Sequence, residues 1–311
     1  MRSAQSHIVG CGLLILSLFS GRGLYGQDYT WWNQKHNWDG VTHWTRYIIL
    51  SPGFMGPNAL PVPETRNGIV DTSLHFSTSF EIHRSEGDKT ENNFTTLFIP
   101  IANGIAGLGL EMVTWEHYRM DTLTRDARRS RDEDGIGTAI GDLQVSTLIR
   151  LARNHPNWPD MNLGIHLRTA TGSNLGGARF SDAPGYAFDL ACSKKLNNKA
   201  FWLEPYCVLG FGAWQVNRDD NLQNDVFRYA LGTKAGKANW YVGVEWSGYH
   251  GYFDNGDRPM VGRLNAMHKV GKHIQLFIKL QQGFHDYAYS SLRLGVRYTP
   301  GITAKRSTER G

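Results

Sequence analysis

From residue 71 onward, apolar and polar side chains alternate with a period of two. Between Ser73 and His83, Leu74, Phe76, Phe80 and Ile82 fall on one face, and Ser73, His75, Ser77, Ser79, Glu81 and His83 on the other. A period of two is that of a strand, whose successive side chains point to opposite faces. Charged residues opposite an apolar face mark a membrane barrel strand, which has lipid on one side and a polar lumen on the other. The pattern recurs over 142–151, 161–167, 227–232, 240–247, 274–281 and 292–298, and more weakly over 92–101, 105–118, 186–193, 200–215 and 260–269. Together these predict an all-β chain, a transmembrane antiparallel up-and-down barrel of about 12 strands spanning 67–298.

The gaps between segments support the same architecture. Those at 84–91, 119–138, 172–185, 216–224, 252–259 and 284–288 alternate with gaps at 102–104, 152–160, 194–199, 235–238 and 270–272 that are mostly shorter. Long extracellular loops and short periplasmic turns sort in this way, whereas a soluble sandwich has no reason to sort loops by parity. Both termini are then expected in the periplasm, with a tail at 299–311. Residues 27–66 do not alternate. They hold Trp31, Trp32, Trp38 and Trp44, then the run from Ser51 to Pro57, then Pro61 and Pro63. Proline cannot donate to a central ladder, so this stretch is a non-barrel segment, either a lumen plug or a periplasmic extension. Tyr47 to Leu50 is the one piece of it that reads as a strand.

Residues 1–26 read as a secretory signal. Arg2 supplies the charged start, and the apolar run from Ile8 to Phe19 is too short to span a bilayer. The run continues past Cys11, which argues against a lipoprotein cleavage box. No later stretch approaches 18 apolar residues, leaving periplasmic, secreted or barrel fates. Mean hydropathy is −0.40, which excludes a helical membrane protein but not a barrel, where only every second strand residue meets lipid. The net charge is +5, and about +3 without Arg2 and Arg22. That near balance argues against nucleic acid as a partner. Cys192 and Cys207 could bridge in an oxidising periplasm, but small apolar strand residues are the favoured reading.

The side chains expected to face the lumen are His75, Glu81, His83, Glu111, Asp142, Arg150, His166, Arg168, Glu245, Lys279, Arg293 and Arg297. A tight hairpin end at 152–160 would set Ser146 opposite His166 and Gln144 opposite Arg168, with Asp142 diagonal to Arg168. Lys279 would face Arg293, and two like charges so placed need nearby acids or an anionic solute. A salt-bridge network that fills the interior is favoured over a selectivity filter for a barrel this narrow. The 119–138 loop carries Arg125, Arg128, Arg129 and Arg131 beside Asp132 and Asp134. It could contact lipopolysaccharide phosphates or hold a cation, but its carboxylates do not follow a calcium-loop spacing, and a solvated loop is favoured. No metal site, cofactor or enzyme activity is expected, since no nucleophile motif is present.

Gly141-Asp142-Leu143 opens one strand, and the next ends His166-Leu167-Arg168-Thr169-Ala170-Thr171-Gly172-Ser173 before a loop into Tyr186. This resembles the barrel family linked with the meta-pathway of phenol degradation, which is distantly similar to long-chain fatty-acid transporters. Ala170 stands where that family has proline. The resemblance implies an outer-membrane transporter-like barrel with small apolar or aromatic solutes as cargo. The expected function is a passive outer-membrane channel for small-molecule solutes in a Gram-negative bacterium. A non-conducting structural or adhesion barrel is the alternative. Expected partners are outer-membrane lipid, lipopolysaccharide and, through the strand ending at Tyr298, the barrel-assembly machinery.

Overall fold

The computed structural model describes residues 28–197, 201–215 and 223–301. The expected signal peptide and most of the expected tail lie outside them. Two units divide at Gly40. The described part of the first, 28–40, carries a short helix, Thr30–Lys35, in which the Trp32 ring packs against His36 at 5.2 Å.

The alternating segments form antiparallel strands: β1 (His75–Ser85), β2 (Asp88–Ile101), β3 (Ala106–Met120), β4 (Ile136–Ala139), β5 (Gln144–Ala152), β6 (Asp160–Arg168) and β7 (Gly185–Ser193). They continue as β8 (Leu196–Asn197), β9 (Trp202–Gln215), β10 (Gln223–Gly236), β11 (Trp240–Gly251), β12 (Met260–Val270), β13 (Ile274–His285) and β14 (Ser290–Tyr298). β14 pairs with β1 from Phe76↔Tyr298 to Arg84↔Ser290, which closes the sheet. Twelve strands make the barrel, while β4 and β8 are short additions on β3 and β9. Tyr47 to Leu50 forms no strand; Trp44–Tyr47 is a single 3-10 turn.

Alternation sorts the faces as hydrocarbon requires. Phe76, Phe80, Leu167, Val244, Trp246, Leu276, Leu280, Leu294 and Val296 are exposed on the outer surface. Ser77, Ser79, Glu81, His83, Asn162, Glu245 and Ser247 from the same strands are buried inside. One outward patch is polar. There Asn93 bonds with Thr78, Thr95 and Thr114 at 2.9–3.2 Å, so these groups satisfy one another where no water is at hand.

One mouth of the barrel carries the connections at 86–87, 121–135, 169–184, 252–259 and 286–289; the other carries those at 102–105, 153–159, 237–239 and 271–273. The first of the expected long gaps, 84–91, is instead a two-residue turn, because both strands run on to Ser85 and Asp88. Gly87 permits it by adopting φ +71°.

The proline-rich segment lies inside the barrel. Near the short-turn mouth, the Gly68 amide donates to Ser193 Oγ at 3.2 Å, and Asn162 Nδ2 donates to the Asn67 carbonyl at 2.8 Å. Midway, Arg263 donates to the carbonyls of Val62 and Pro63 at 2.6 and 3.0 Å. At the long-loop mouth, the Gly53 and Gly56 amides donate to the carbonyls of Gly256 and Ala178. Prolines suit this course, since wall side chains rather than a partner strand satisfy the backbone. Apolar residues anchor it at three levels. Val70 packs with Phe98 and Leu148. Val62 packs with Val226, Tyr249 and Val261. Ile48, Leu50, Met55 and Ala59 cluster with Ala183. Each large anchor contributes roughly 1.5–3 kcal/mol by leaving water.

Tyr47 therefore sits by the long loops, where its carbonyl accepts from Arg129, while Tyr298 ends at the opposite mouth. The segment thus crosses the lumen before β1 begins; residues 1–27, which hold the N-terminal end, lie outside those described.

Two measurements check this frame. Ile165 faces outward near the middle of β6, so Ile165→Arg is expected to cost about 2–4 kcal/mol in urea unfolding from lipid, and equal stability would contradict the register. Val41 is 89 % exposed. In a background lacking Cys192 and Cys207, Val41→Cys and Lys272→Cys are expected to react with an impermeant maleimide from opposite sides of the membrane. Labelling of both from one side would contradict the threading.

Candidate functional site

The lumen is the candidate site, and its walls and inner segment together set its chemistry. At the long-loop mouth the 169–184 loop folds inward and buries Arg179 completely. Arg179 donates to Glu116 at 2.7 Å, to Asp88 at 2.8 Å and to Thr90 at 2.7 Å, and its guanidinium lies 4.4 Å from the centre of the Tyr118 ring. Burial alone disfavours its charge, but Glu116 and Asp88 outweigh that and hold the guanidinium more firmly protonated than usual. Arg128 donates to the same Asp88 carboxylate and to the Tyr289 hydroxyl at 2.7 Å. Asn58 of the inner segment donates to Glu116 at 2.7 Å and to Asn92 at 3.0 Å. Gly56 is needed here, because a Cβ on it would lie 2.5 Å from the Arg179 guanidinium carbon.

Midway, Lys279 and Arg293 stand opposite in register, as the spacing predicts. Their counter-charges come from two places. Glu64 of the inner segment pairs with both cations, and Glu81 of β1 pairs with Arg293. Glu81 also lies 3.3 Å from His83, which meets Asn92 and Ser291 at 2.7 Å. Arg66 pairs with Glu111. Glu245 takes hydrogen bonds from Thr65, Tyr206 and Arg263 at 2.7–2.8 Å. Lower down, Asn67 reaches Glu204, and His75 stacks on Phe98 at 5.1 Å.

The expected cross-strand neighbours Ser146↔His166 and Gln144↔Arg168 are both present. Asp142 and Arg168 form the diagonal ion pair. His166 lies 3.0 Å from Asp189. Among the described residues Ser146 Oγ has no hydrogen-bond partner, so Ser146 and His166 do not form the coupled pair a nucleophile needs. Arg150 and Arg297 lie toward the short-turn mouth, away from the central ion pairs, and Arg297 Nε has no partner among the described residues.

The charged loop divides its residues. Arg128 turns inward and is buried. Arg125 pairs with Asp126. Arg129 reaches Tyr47, and Arg131 lies 4.7 Å from the Trp44 ring centre. Asp132 accepts from the Tyr118 hydroxyl, while Asp134 is exposed. Among the described residues no group of three or more His, Cys, Asp or Glu side chains is placed to hold a metal.

Sequence reasoning missed Asp88, Glu116, Arg179, Asp189, Arg228 and Arg263, and the inner residues Asn58, Glu64, Arg66 and Asn67. One signal was available for the last group, since charged and amide side chains are interleaved with the prolines of 57–67. A solvated linker has no need of that spacing.

Between the inner segment and the wall, chiefly β3, β5, β6, β7, β9, β10 and β11 with Phe94 of β2 and Arg293 of β14, a cavity of about 160 Å³ remains. Its lining mixes paired charges, such as Arg66–Glu111 and Arg168–Asp142, with apolar surface from Val113, Phe180 and Val226.

No family model and no curated protein matches this sequence. Solved structures do match its fold. The chain is similar to the KdgM porin in complex with disordered oligogalacturonate, with a TM-score of 0.45 and 12% identity over 71% of this chain and 98% of that one. It is similar to the NanC porin, with a TM-score of 0.48 and 11% identity over 72% and 98%. It is also similar to an outer-membrane channel from Pseudomonas putida F1, with a TM-score of 0.54 and 12% identity over 76% of this chain and 98% of that chain. At such identity the last likeness establishes the fold alone: this chain folds as an outer-membrane β-barrel.

Proposed function

We propose that this protein is a passive outer-membrane channel for small solutes, narrowed by residues 48–70 of its own chain. The observation that carries the reading is the residual cavity of about 160 Å³ between that segment and the wall. An interior packed only for stability leaves few voids larger than a water molecule. Small apolar or aromatic solutes fit a lining of this mixed character, in keeping with the resemblance of 139–195 to the phenol-degradation barrels. In this reading the apolar belt meets lipid and the long loops face outward toward lipopolysaccharide. The strand ending at Tyr298 is the part offered to the assembly machinery, and the chain ends in the periplasm. Flux needs no cofactor, because the charges along the path are fixed on the chain.

A specific observation favours the alternative, a non-conducting structural barrel: the Arg179 cluster is fully buried across the long-loop mouth. Conductance separates the two. A Cβ on Gly68 would lie 2.0 Å from the Asp160 carbonyl oxygen, so Gly68→Val unseats the inner segment at its lower anchor. Planar bilayers are expected to show small unitary conductance for the native protein and larger conductance for Gly68→Val. Silence from both forms, each folded by heat-modifiable gel mobility, would leave the structural reading standing.

The central charges have a separate readout. Replacing Lys279 and Arg293 by Gln leaves Glu64 and Glu81 without their partners. Breaking a fully buried pair costs about 3–5 kcal/mol and these partly buried ones less, so the melting temperature is expected to fall. The reversal potential in asymmetric KCl is expected to move toward cation preference, because lumen side chains act directly on the permeant. An unchanged potential beside a lowered melting temperature would confine these charges to bracing the interior.

A further inference from the structure

The cavity beside the inner segment has an uneven chemistry. Most charged side chains on its lining are matched: Arg66 with Glu111, Arg168 with Asp142, and Arg293 with Glu64 and Glu81. Among the described residues four polar groups on the same lining are not, one being His166 Nε2, which lies 3.0 Å from Asp189 without a hydrogen bond to it. Ser146 is 5 % exposed, and its Oγ has no partner. Trp214 Nε1 is buried and also has none. The Arg228 side chain is 12 % exposed, and its one ion-pair contact among the described residues is Asp189 at 3.5 Å, which His166 approaches more closely at 3.0 Å. Gly210 makes the reach of Arg228 to Asp189 possible, since a Cβ on this intervening strand would sit 2.7 Å from Asp189 Cβ. Indole and guanidinium nitrogens only donate hydrogen bonds, and a serine hydroxyl can donate as well. The unmet demand of the cavity is therefore for an acceptor.

The rest of the lining sets the shape of what brings that acceptor. Val113, Phe180, Ala187, Val226 and the Tyr249 ring supply apolar surface. At about 160 Å³ the space is comparable to an apolar cavity of roughly 150 Å³ that takes one benzene. Buried donors without partners cost roughly 1–3 kcal/mol each, so an occupant that accepts from them is favoured over an empty site.

We propose that this cavity is a binding site for small monocarboxylates with a compact apolar body, with Arg228 holding the carboxylate and the apolar lining holding the body. Asp189 then keeps His166 as its partner, and Arg228 is released toward the ligand. Ser146 and Trp214 lie on the same lining as additional donors. The assignment rests on the lumen being the solute path, but equilibrium binding is measured without flux. A protein that binds and does not conduct upholds this site and defeats the channel, and one that conducts and does not bind does the reverse.

The test is calorimetric titration of the purified full chain in detergent with benzoate, and with benzamide, its neutral isostere. Benzoate is expected to bind saturably and benzamide about tenfold more weakly or worse, since a hydrogen bond to a charged group is the larger contribution. Arg228→Met is expected to weaken benzoate about tenfold while leaving benzamide little changed. Ala187→Phe, which fills the space without touching the donors, is expected to abolish binding of both in a protein that keeps its heat-modifiable mobility. Equal affinity for the two probes would overturn the carboxylate assignment, as would benzoate binding that survives Arg228→Met. Absence of any saturable heat with benzoate would overturn the site and leave water as the occupant of the unpaired donors.

Discussion

A strand that faces hydrocarbon on one side has no water to satisfy its backbone, so its sheet must close. The pairing of β14 with β1 meets that demand, and the rest of the structure depends on it. Closure fixes an inside and an outside for every strand, and the period of two then assigns each side chain to lipid or lumen. The outward Asn93 group shows how strict the constraint is. Its neighbours Thr78, Thr95 and Thr114 turn their hydroxyls onto the amide, because nothing in the surrounding belt would bond with it.

Closure also creates the second problem, an interior crowded with polar and charged residues at low dielectric. Unpaired, such charges are costly, and pairing them demands good geometry. The chain solves part of this from within. Glu64 arrives on a segment that is not a strand and sits between Lys279 and Arg293. Arg66 does the same for Glu111, and Thr65 for Glu245. Wall and segment are thus incomplete without each other. That accounts for the absence of a partner strand for 48–70 and for the prolines there, whose missing amide hydrogens leave fewer donors to satisfy.

The barrel was legible because its signal is local. Leu163, Ile165 and Leu167 alternate with Asn162, Gly164 and His166 in the sequence itself, and the turn at 153–159 fixes their register against β5. The pairings Ser146↔His166 and Lys279↔Arg293 follow from that arithmetic alone. The inner segment was not legible, because its position depends on contacts far apart in sequence: Thr65 with Glu245, Asn67 with Glu204, Gly53 with Gly256. No period reports such contacts. The strand tips were misread for a different reason. Asp88 and Thr90 look like loop residues, yet they continue β2 because Arg179 and Arg128, from two loops, neutralise Asp88 inside and Arg179 donates to the Thr90 hydroxyl.

This arrangement bears on what the lumen can do. A set of charges that is balanced pair by pair gives a short-range field, since each dipole is compensated within a few ångströms. Long-range ion selection is then weak, and discrimination falls to whichever groups are left incompletely matched. Arg228, held by one carboxylate at 3.5 Å that His166 shares, is such a group, and it lies beside apolar surface rather than within the central network. In the proposed channel, a lumen built this way favours a solute that offers one acceptor and a compact apolar body over a bare ion. In that reading the central pairs hold the inner segment in place while the edge of the network meets the solute.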